Sequence, residues 1–540
     1  MTNEEVSARS RVRDYHRRTI HRYAAYAAGP ETLDWDAQPS PFRHYEGALR
    51  VALPLATDDD SPVAGRLRLD WRMLDTGLPP LPCTPSALGA LLHLALGLTA
   101  WKSSGPDRWA VRANPSSGNL HPVEGWLFAV GVPGLTDGLW HYLPEVHALE
   151  LRAAFEPGGA PGLHLALSSV MWREAWKYGE RAFRYCQLDV GHATAALRNA
   201  AAVLGWSLAV QPVRVDLLAA ALGLDRLPDF PARREQATEV EEAELLFGVG
   251  VGHVPGPLPV RTVERWHGRA STIDAHPMYR WPVIGDIADA TRDALPRGEL
   301  PAPAREVASP CGRSIGHVLL GRRSAQRFDG RHMMTRNDFD GVLQRMQPCR
   351  AAPWDALPDD RRIDLLLFVH RVEGVAPGVY LLPRGPAGGG VLPLLAPLYP
   401  LTPVEGLRSD LRLLATMAPP ALARLARSLH CHQDIASTSC FALGMLCEFD
   451  AALDASPAAY RALHRQAGLI GQQLYTEAEA LGLRGTGIGC FFDDAVHELL
   501  GLEDERFRTI YHFTMGRAVD DARIETTPAY AGAEQEPMAA

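Results

Sequence analysis

An internal duplication constrains the fold of this chain more than any other feature of its sequence. Residues 125–152 and 364–395 each contain an apolar run, a turn rich in Gly, and a second apolar run. Alternating β-branched and aromatic residues bounded by Gly and Pro favour a β-hairpin. Two features match between these segments, a Leu-Phe pair and a Gly-x-aromatic turn: Leu127-Phe128 with Leu367-Phe368, and Gly138-x-Trp140 with Gly378-x-Tyr380. The halves are therefore predicted to be diverged copies of one α/β unit.

Each copy also contains a long helical pattern rich in Ala and Leu. Residues 184–206 and 464–485 carry this pattern, and both end near a Leu-Gly pair. Such an ending is a plausible helix stop, because Gly tolerates the left-handed conformation beyond the last turn. Small residues on one side of these helices suit close packing of one copy against the other.

The length of the chain is compatible with this division. At about 150 residues per domain, 540 residues correspond to three or four units, and two large units also fit. The VPGPLP segment at 254–259 and the irregular residues after it indicate a connector, and the small, polar end of the chain indicates disorder. The predicted divisions are an N-terminal extension (1–60), a first copy (61–255), a linker (256–310), a second copy (311–524) and a disordered tail (525–540).

The composition excludes several classes of protein. Lys and Arg total 54 against 63 Asp and Glu, and this net charge of -9 argues against nucleic acid as a partner. The eight cysteines include no C-x-x-C pair, so neither a disulfide framework nor a zinc ribbon is indicated. The His-Cys-His sequence at 430–432 suggests metal ligands, but adjacent residues of a helix point in different directions. No metal is predicted.

The sequence indicates no targeting or membrane segment. Residues 1–19 lack the apolar core of a signal peptide, and the most apolar stretch, residues 86–101, is too short to span a bilayer. We therefore expect a cytoplasmic protein with no membrane partner.

The most specific motif is RANPSSGNLHPVE, at residues 112–124. Pro and Gly fix a turn in which the hydroxyls of Ser116 and Ser117, the amide of Asn119 and several backbone N–H groups converge. Such a loop can hold a planar polar ligand through hydrogen bonds. The alternative is a loop whose Ser and Asn side chains bond only to their own backbone.

Two further motifs carry charge. Arg322, Arg323 and Ser324 form a group suited to grasping a phosphate, because a guanidinium donates two parallel hydrogen bonds. The alternative is a solvated basic helix end. The second motif is WREAWKYGERAFRY at 172–185, which contains Lys177-Tyr178. Its alternative is a surface helix with weak ion pairs between residues three and four apart.

Together these motifs resemble the nitroreductase-like flavoproteins, and within them the streptolysin-S-type azoline dehydrogenases and the cyanobactin thiazoline oxidases. The segments that carry the resemblance are YHRRT (15–19), PSSGNLHPVEGW (115–126), WKYGERAFRYCQLDVGH (176–192), RRS (322–324) and LGLRGTGIGCFFDD (481–494). The resemblance implies an α+β fold in which FMN lies between two paired copies. Here the two copies are fused, so the implied architecture is an intramolecular pseudo-dimer of nitroreductase-like units.

Each half of this chain lacks what the other half retains. The first copy has LDTG at 74–77 where the family carries its phosphate-binding Arg-x-Ser, and the second has WDALPD at 354–359 where the family carries the Pro-Ser-Ser loop. The resemblance therefore implies one intact FMN site and one vestigial site.

The resemblance also assigns roles to individual residues. The phosphate group is expected to bind to Arg322, Arg323, Ser324 and Arg517. The ribityl chain and the ring edge are expected to contact Pro115, Ser116, Ser117 and Asn119. The flavin ring is expected to meet backbone N–H groups of Gly487, Ile488 and Gly489. Acid/base chemistry is expected from Lys177 and Tyr178. Apart from the resemblance, Asp189 and His192 lie one helical turn apart before an Ala-rich run, and this spacing indicates a capping and orienting pair near Tyr185.

The resulting functional hypothesis is an FMN-dependent dehydrogenase that converts azoline rings to azoles on a peptide or a small natural product, with dioxygen regenerating the flavin. A cyclodehydratase is a candidate partner, and further dimerisation is left open. The first alternative is a nitro- or quinone-reductase supplied by NAD(P)H. The second is a non-catalytic scaffold subunit of a biosynthetic complex.

Overall fold

The computed structural model describes residues 3–158, 160–231, 237–259, 261–292, 309–358, 362–385 and 390–530. Its α-helices are α1 (Asn3–Arg18), α2 (Ala64–Leu67), α3 (Pro85–Ala95), α4 (Met171–Tyr178), α5 (Ala182–Leu204), α6 (Val215–Leu222), α7 (Pro282–Ala290), α8 (Ile315–Gly321), α9 (Arg336–Arg345), α10 (Leu392–Leu395), α11 (Pro419–Leu429), α12 (Asp434–Thr438), α13 (Phe449–Ala455), α14 (Ala459–Ala480) and α15 (Asp493–Leu500). Its strands are β1 (Tyr45–Glu46), β2 (Arg50–Ala52), β3 (Leu98–Ser104), β4 (Asp107–Arg112), β5 (Val123–Val130), β6 (Gly138–Leu143), β7 (Ala148–Phe155), β8 (Gly162–Val170), β9 (Ser207–Gln211), β10 (Glu241–Gly250), β11 (Val263–Trp266), β12 (Arg269–Ala270), β13 (Ile363–Val369), β14 (Gly378–Leu382), β15 (Thr402–Pro403), β16 (Arg412–Thr416), β17 (Phe441–Glu448), β18 (Arg484–Ile488), β19 (Phe507–Gly516) and β20 (Glu525–Thr527).

Two antiparallel sheets of the same design form the two copies. The first has the order β11-β7-β6-β5-β8-β10-β9, with β2 added to β7, and the second has the order β15-β16-β14-β13-β17-β19-β18. Both predicted hairpins form, and they share a register. Leu127 pairs with Trp140 in the β5–β6 hairpin, and Leu367 pairs with Tyr380 in the β13–β14 hairpin. The duplication predicted from sequence is thus confirmed at the level of strand pairing.

The long helices α5 and α14 pack against each other at the centre of the molecule, where nearly all their residues are buried. A glycine from each helix lies at the contact. A Cβ on Gly191 would overlap the backbone oxygen of Arg465, and a Cβ on Gly468 would overlap that of Leu188. These glycines let the two backbones approach closely, and the chain is an intramolecular pseudo-dimer of α+β copies.

The N-terminal helix α1 is attached to the second copy. Arg17 forms an ion pair with Glu505 at 3.0 Å, and Arg13 pairs with Asp450. Just beyond the helix, the backbone N–H of His21 donates to Asp493 at 2.9 Å. The extension therefore connects the start of the chain to the far copy.

The prediction that the end of the chain is disordered is wrong for residues 525–530. Strand β20 pairs with β3 of the first copy, and Tyr530 accepts a hydrogen bond from the N–H of Leu98 at 2.8 Å and donates one to the carbonyl of Pro144 at 2.7 Å. Tyr530 also packs on an apolar cluster that includes Phe42. The polar composition of this segment suggested disorder, but the residues that order it are distant in the sequence. Residues 531–540 lie outside the described residues.

The predicted linker is partly regular. It contains β11, β12 and helix α7, whose Ile284 and Ile287 are buried in the main core. Residue 260 and residues 293–308 lie outside the described part of the chain. Within that part, no helix is both long enough and apolar enough to cross a membrane.

Candidate functional site

A cavity of about 280 Å³ lies between the two copies. The first copy contributes the 114–119 loop together with His121, Asp189 and His192, and the second contributes residues 322–326, Tyr475, Thr486, Gly487 and Tyr511. A second cavity of about 370 Å³ shares Lys102 and residues 323–326 with the first. The structure thus brings the predicted Pro-Ser-Ser loop and the predicted Arg-Arg-Ser group to one place.

Arg322 connects the two copies at this cavity. Only 3% of its surface is exposed. Its Nε donates to the carbonyl of Ala113 at 2.8 Å, and its Nη2 donates to the carbonyl of Arg112 at 3.0 Å. Its Nη1 has no hydrogen-bond partner among the described residues. The guanidinium is therefore held in place with one donor left for a ligand.

The same end of the cavity concentrates positive charge. Burial and the neighbouring charge of Arg322 lower the pKa of Arg323 to about 10. Burial, followed by the charges of Arg323 and Arg484, lowers the pKa of Lys102. Arg484 lines the second cavity and forms an ion pair with Asp520 at 2.7 Å. Cations that depress one another's pKa are stabilised by a bound anion, so this end is suited to a phosphate.

The loop is fixed by hydrogen bonds of its own. The Ser116 hydroxyl accepts from the N–H of His121 at 2.8 Å, and the Asn119 amide donates to the carbonyl of Ala110 at 2.8 Å. Asn119 Oδ1 lies 3.1 Å from His121 Nε2. Two buried acceptors that line the cavity, Asn114 Oδ1 and His121 Nδ1, lack partners among the described residues. The second ring nitrogen of His121 and the Asn114 amide are thus available to a ligand.

Two buried carboxyl groups lie beneath the loop. The backbone N–H of Ser117 donates to Asp189 at 3.2 Å, and the Ser116 hydroxyl donates to Glu174 at 3.4 Å. Burial raises the pKa of Asp189 to about 7. Burial and the adjacent Asp189 raise the pKa of Glu174 well above its usual range. The pair therefore holds protons near neutral pH.

The sequence motifs did not identify this acid pair as a pair. From the sequence, Glu174 has a role only in the alternative in which residues 172–185 form a surface helix with weak ion pairs, and Asp189 is expected to pair with His192. In the structure His192 instead lies 3.0 Å from the hydroxyl of Tyr511, and burial lowers the pKa of His192 to about 3. The available signal was Asp189 itself, the one acidic residue of helix α5.

Lys177 and Tyr178 lie behind the loop and do not line the cavity in the described part of the chain. A Cβ on Gly118, which does line it, would be 2.6 Å from the Tyr178 hydroxyl and 3.2 Å from Lys177 Nζ. Burial lowers the pKa of Lys177, although the charge of Glu174 opposes the shift. The pair is therefore separated from the cavity by a single glycine.

Lysine occurs at only two positions in this protein. The two lysines are Lys102 and Lys177, and the chain uses arginine for every other strong cation. Both lysines lie at or directly behind the cavity, and burial lowers the pKa of both. Arginine does not release its proton in proteins, whereas a desolvated lysine can. The two amines that can exchange protons are therefore gathered at one site.

The predicted Gly487–Gly489 segment only partly reaches the cavity. Gly487 lines it, but its N–H donates to the hydroxyl of Tyr475 at 2.9 Å. Ile488 is buried in an apolar cluster, and the carbonyl of Gly489 accepts from Arg181 at 3.0 Å. Arg517 is exposed just after β19, near Asp329, and the structure does not bring it to either of the two cavities.

The LDTG string at 74–77, where the first copy lacks the phosphate-binding Arg-x-Ser, is part of a cluster of buried ion pairs. Asp75, from the LDTG string, pairs with Arg345 at 2.8 Å. Glu477 pairs with Arg345 and with Arg72, each at 2.7 Å. Burial alone would raise the pKa of Glu477, but the charges of these arginines lower it to about 2.

The other predicted loss, at residues 354–359, is also part of the packed structure. Trp354 is buried, and Asp355 forms an ion pair with Arg198 at 2.8 Å. Residue 359 lies outside the described residues. No cluster of His, Cys, Asp and Glu able to hold a metal ion occurs in the described part of the chain.

Comparison with known proteins agrees with this architecture. Residues 434–517 match the sequence model of the nitroreductase family. Over 124 residues the chain is 26% identical to "Putative nitroreductase MJ1384" of Methanocaldococcus jannaschii, which covers 21% of this chain and 59% of that protein. The chain thus spans about three fifths of the length of the curated relative it matches.

Solved structures extend the similarity to nearly the whole chain. A crystal structure described as a "putative nitroreductase" from Anabaena variabilis is 20% identical, with a TM-score of 0.68 over 94% of this chain and 99% of that chain. A partial match, with 18% identity and a TM-score of 0.28, covers 37% of this chain and 70% of a chain from the Escherichia coli microcin synthetase McbBCD complex. The chain therefore has the nitroreductase-like fold in two fused copies, and its residues 434–517 match the nitroreductase family model.

Proposed function

We propose that this chain is an FMN-dependent oxidoreductase that binds one flavin between its two copies and dehydrogenates azoline rings to azoles. The observation that carries the proposal is the cavity itself. Its walls come from both copies, its basic end suits a phosphate, Lys102 lines it, and Lys177 lies directly behind Gly118. The nitroreductase-family match supports an oxidoreductase of this general kind.

The residues present fit FMN. Arg322 Nη1 is a buried donor without a partner among the described residues, and Arg323 and Lys102 add charge for a phosphate dianion. Asn114 and His121 offer buried unpaired acceptors for hydroxyl or ring N–H groups in the same part of the molecule. When bound, FMN supplies a hydride acceptor that dioxygen can reoxidise.

The chain itself must supply the acid/base chemistry. Forming an azole from an azoline removes a carbon-bound proton in addition to a hydride, so a base must stand beside the substrate. Lys177 is that base in our proposal, because its partial burial favours the neutral amine. Tyr178 orients it, and the Glu174–Asp189 pair holds the Ser116–Ser117 loop from below.

The test is anaerobic flavin reduction by a synthetic thiazoline, measured with the full chain after loading with FMN. Lys177→Ala should retain flavin but reduce it about 10²–10⁴-fold more slowly, as expected for the loss of a positioned base. Lys177→Arg is the matched control, because it keeps the cation but cannot accept the proton. It should be as slow as Lys177→Ala, and Tyr178→Phe should be affected less.

Other outcomes would favour the alternatives. Unchanged reduction in both Lys177 variants, together with fast reduction by NAD(P)H, would support a nitro- or quinone-reductase. Failure of the wild-type chain to retain FMN would support a non-catalytic subunit.

A further inference from the structure

Two cysteines, Cys431 and Cys490, lie side by side in the second copy, outside the cavity. Cys431 follows α11 with a positive φ of 51°, and Cys490 lies two residues beyond the end of β18. The segments that carry them are held together, because the N–H of Phe492 donates to the carbonyl of Leu429 at 3.0 Å and the Gln433 amide donates to the carbonyl of Cys490 at 3.2 Å. The two thiols are neighbours, and both are partly exposed. A thiol pair of this kind is accessible to a small oxidant from solvent.

The surroundings of this pair stabilise a thiolate on Cys490. His21 Nδ1 accepts the N–H of Ala27 at 2.9 Å, which leaves the other ring nitrogen as a donor, and the ring lies beside Cys490. Arg181 contacts the preceding carbonyl, that of Gly489. The neighbouring Cys431 thiol has the largest effect, and together with His21 and Arg181 it lowers the pKa of Cys490 to about 5. The pKa of Cys431 is raised correspondingly.

The other six cysteines lack these features. Cys83 and Cys311 are partly exposed, but burial raises the pKa of each. The remaining four are buried: Cys186, Cys349, Cys440 and Cys447. The combination of a stabilised thiolate, an adjacent thiol and partial exposure is therefore specific to one pair, and it is the combination found in redox-sensing cysteines.

We propose that Cys431 and Cys490 are a redox-active pair that hydrogen peroxide oxidises to a disulfide. The Cys490 sulfur attacks one peroxide oxygen, so an S–O bond forms, the O–O bond breaks, and hydroxide leaves. The Cys431 thiol then loses its proton, its sulfur attacks the Cys490 sulfur, and the second oxygen leaves as water. The two sulfurs lose two electrons in total, and peroxide is reduced to two molecules of water.

The pair is connected to the proposed acid/base residues. Gly489 packs directly on the ring of Tyr185, and the Tyr185 ring centroid is 4.5 Å from that of Tyr178. The charge on Cys490 contributes to raising the pKa of Tyr178. If dioxygen reoxidises the flavin, the same molecule produces peroxide; that source rests on the proposed function, whereas the thiol chemistry does not.

The test uses the full chain with added hydrogen peroxide and no substrate, so its outcome is independent of the proposed function. Unreduced peptides are mapped by mass spectrometry. We expect a 431–490 disulfide as the main product in the wild-type chain. In Cys431→Ser, dimedone should instead trap a sulfenic acid on Cys490, and Cys311→Ser should leave the disulfide yield unchanged. A map without the 431–490 link, or with random pairings, would overturn the proposal.

A second measurement requires no variant. Alkylation of Cys490 by iodoacetamide should change little between pH 8 and pH 6, because the thiolate is already formed. Alkylation of Cys311 in the same sample should fall about 100-fold over these two pH units. A parallel fall for Cys490 would contradict the thiolate assignment.

Discussion

Replacing Arg322 tests the location of the phosphate site. Its Nη1 is a buried donor at the cavity with no hydrogen-bond partner among the described residues. Loss of a charge-assisted hydrogen bond costs about 1.5–3 kcal/mol, and each 1.4 kcal/mol is about tenfold in affinity. Arg322→Ala should therefore raise the Kd for FMN by roughly 10- to 150-fold. Arg322→Lys should have a smaller effect, since lysine keeps the positive charge although it cannot donate two parallel hydrogen bonds.

Arg517 provides the matched control. The resemblance to flavoproteins assigns it to the phosphate, but it is exposed, lies near Asp329 and lines neither cavity. Arg517→Ala should therefore change the Kd by less than about twofold, as expected for a screened surface charge. The assay is fluorescence titration of FMN into apoprotein at fixed ionic strength. Equal losses in the Arg322 and Arg517 variants would refute the placement of the phosphate in the cavity.

Three further predictions concern stability. Gly468→Val should lower the free energy of unfolding in urea by about 3 kcal/mol, because the valine side chain would overlap the facing helix. Gly285 has open space around it, so Gly285→Ala should leave the stability unchanged or raise it. The depressed pKa of Glu477 stabilises the fold above pH 4.5 by an amount on the order of 3 kcal/mol, and this stabilisation is lost as the pH falls towards 2. In thermal melts, the Tm of Glu477→Gln should therefore fall less between pH 4.5 and pH 2 than the Tm of the wild-type chain. The raised pKa of Asp189 has the opposite effect, because the fold loses stability as the pH rises from about 4 to 7. Asp189→Asn should therefore raise the Tm at pH 8, and a lower Tm at that pH would contradict the assigned pKa shift.

The repeated architecture was predictable because its signals are local. The two hairpins follow from alternation between turn residues, and the helical patterns at 184–206 and 464–485 correspond to α5 (Ala182–Leu204) and α14 (Ala459–Ala480). Small residues along these helices correctly indicated their close packing. The motif residues at 115–119 and 322–324 do meet, as the resemblance implied.

What the sequence did not predict depends on contacts between distant segments. Tyr530 orders the end of the chain through Leu98 and Pro144, which lie in the other copy. The Glu174–Asp189 pair depends on the way α4 and α5 meet beneath the loop. No local pattern encodes either arrangement, because both are created by tertiary packing.

The central claim is that two fused copies complete one flavin site. The ratio of FMN to protein after gel filtration of the reconstituted chain tests it most directly. We predict a ratio of one, because the Arg345–Asp75 and Arg345–Glu477 ion pairs occupy the position to which the resemblance would assign a second phosphate. A ratio near two would contradict the account, since it would require that buried cluster to open and accept a second FMN.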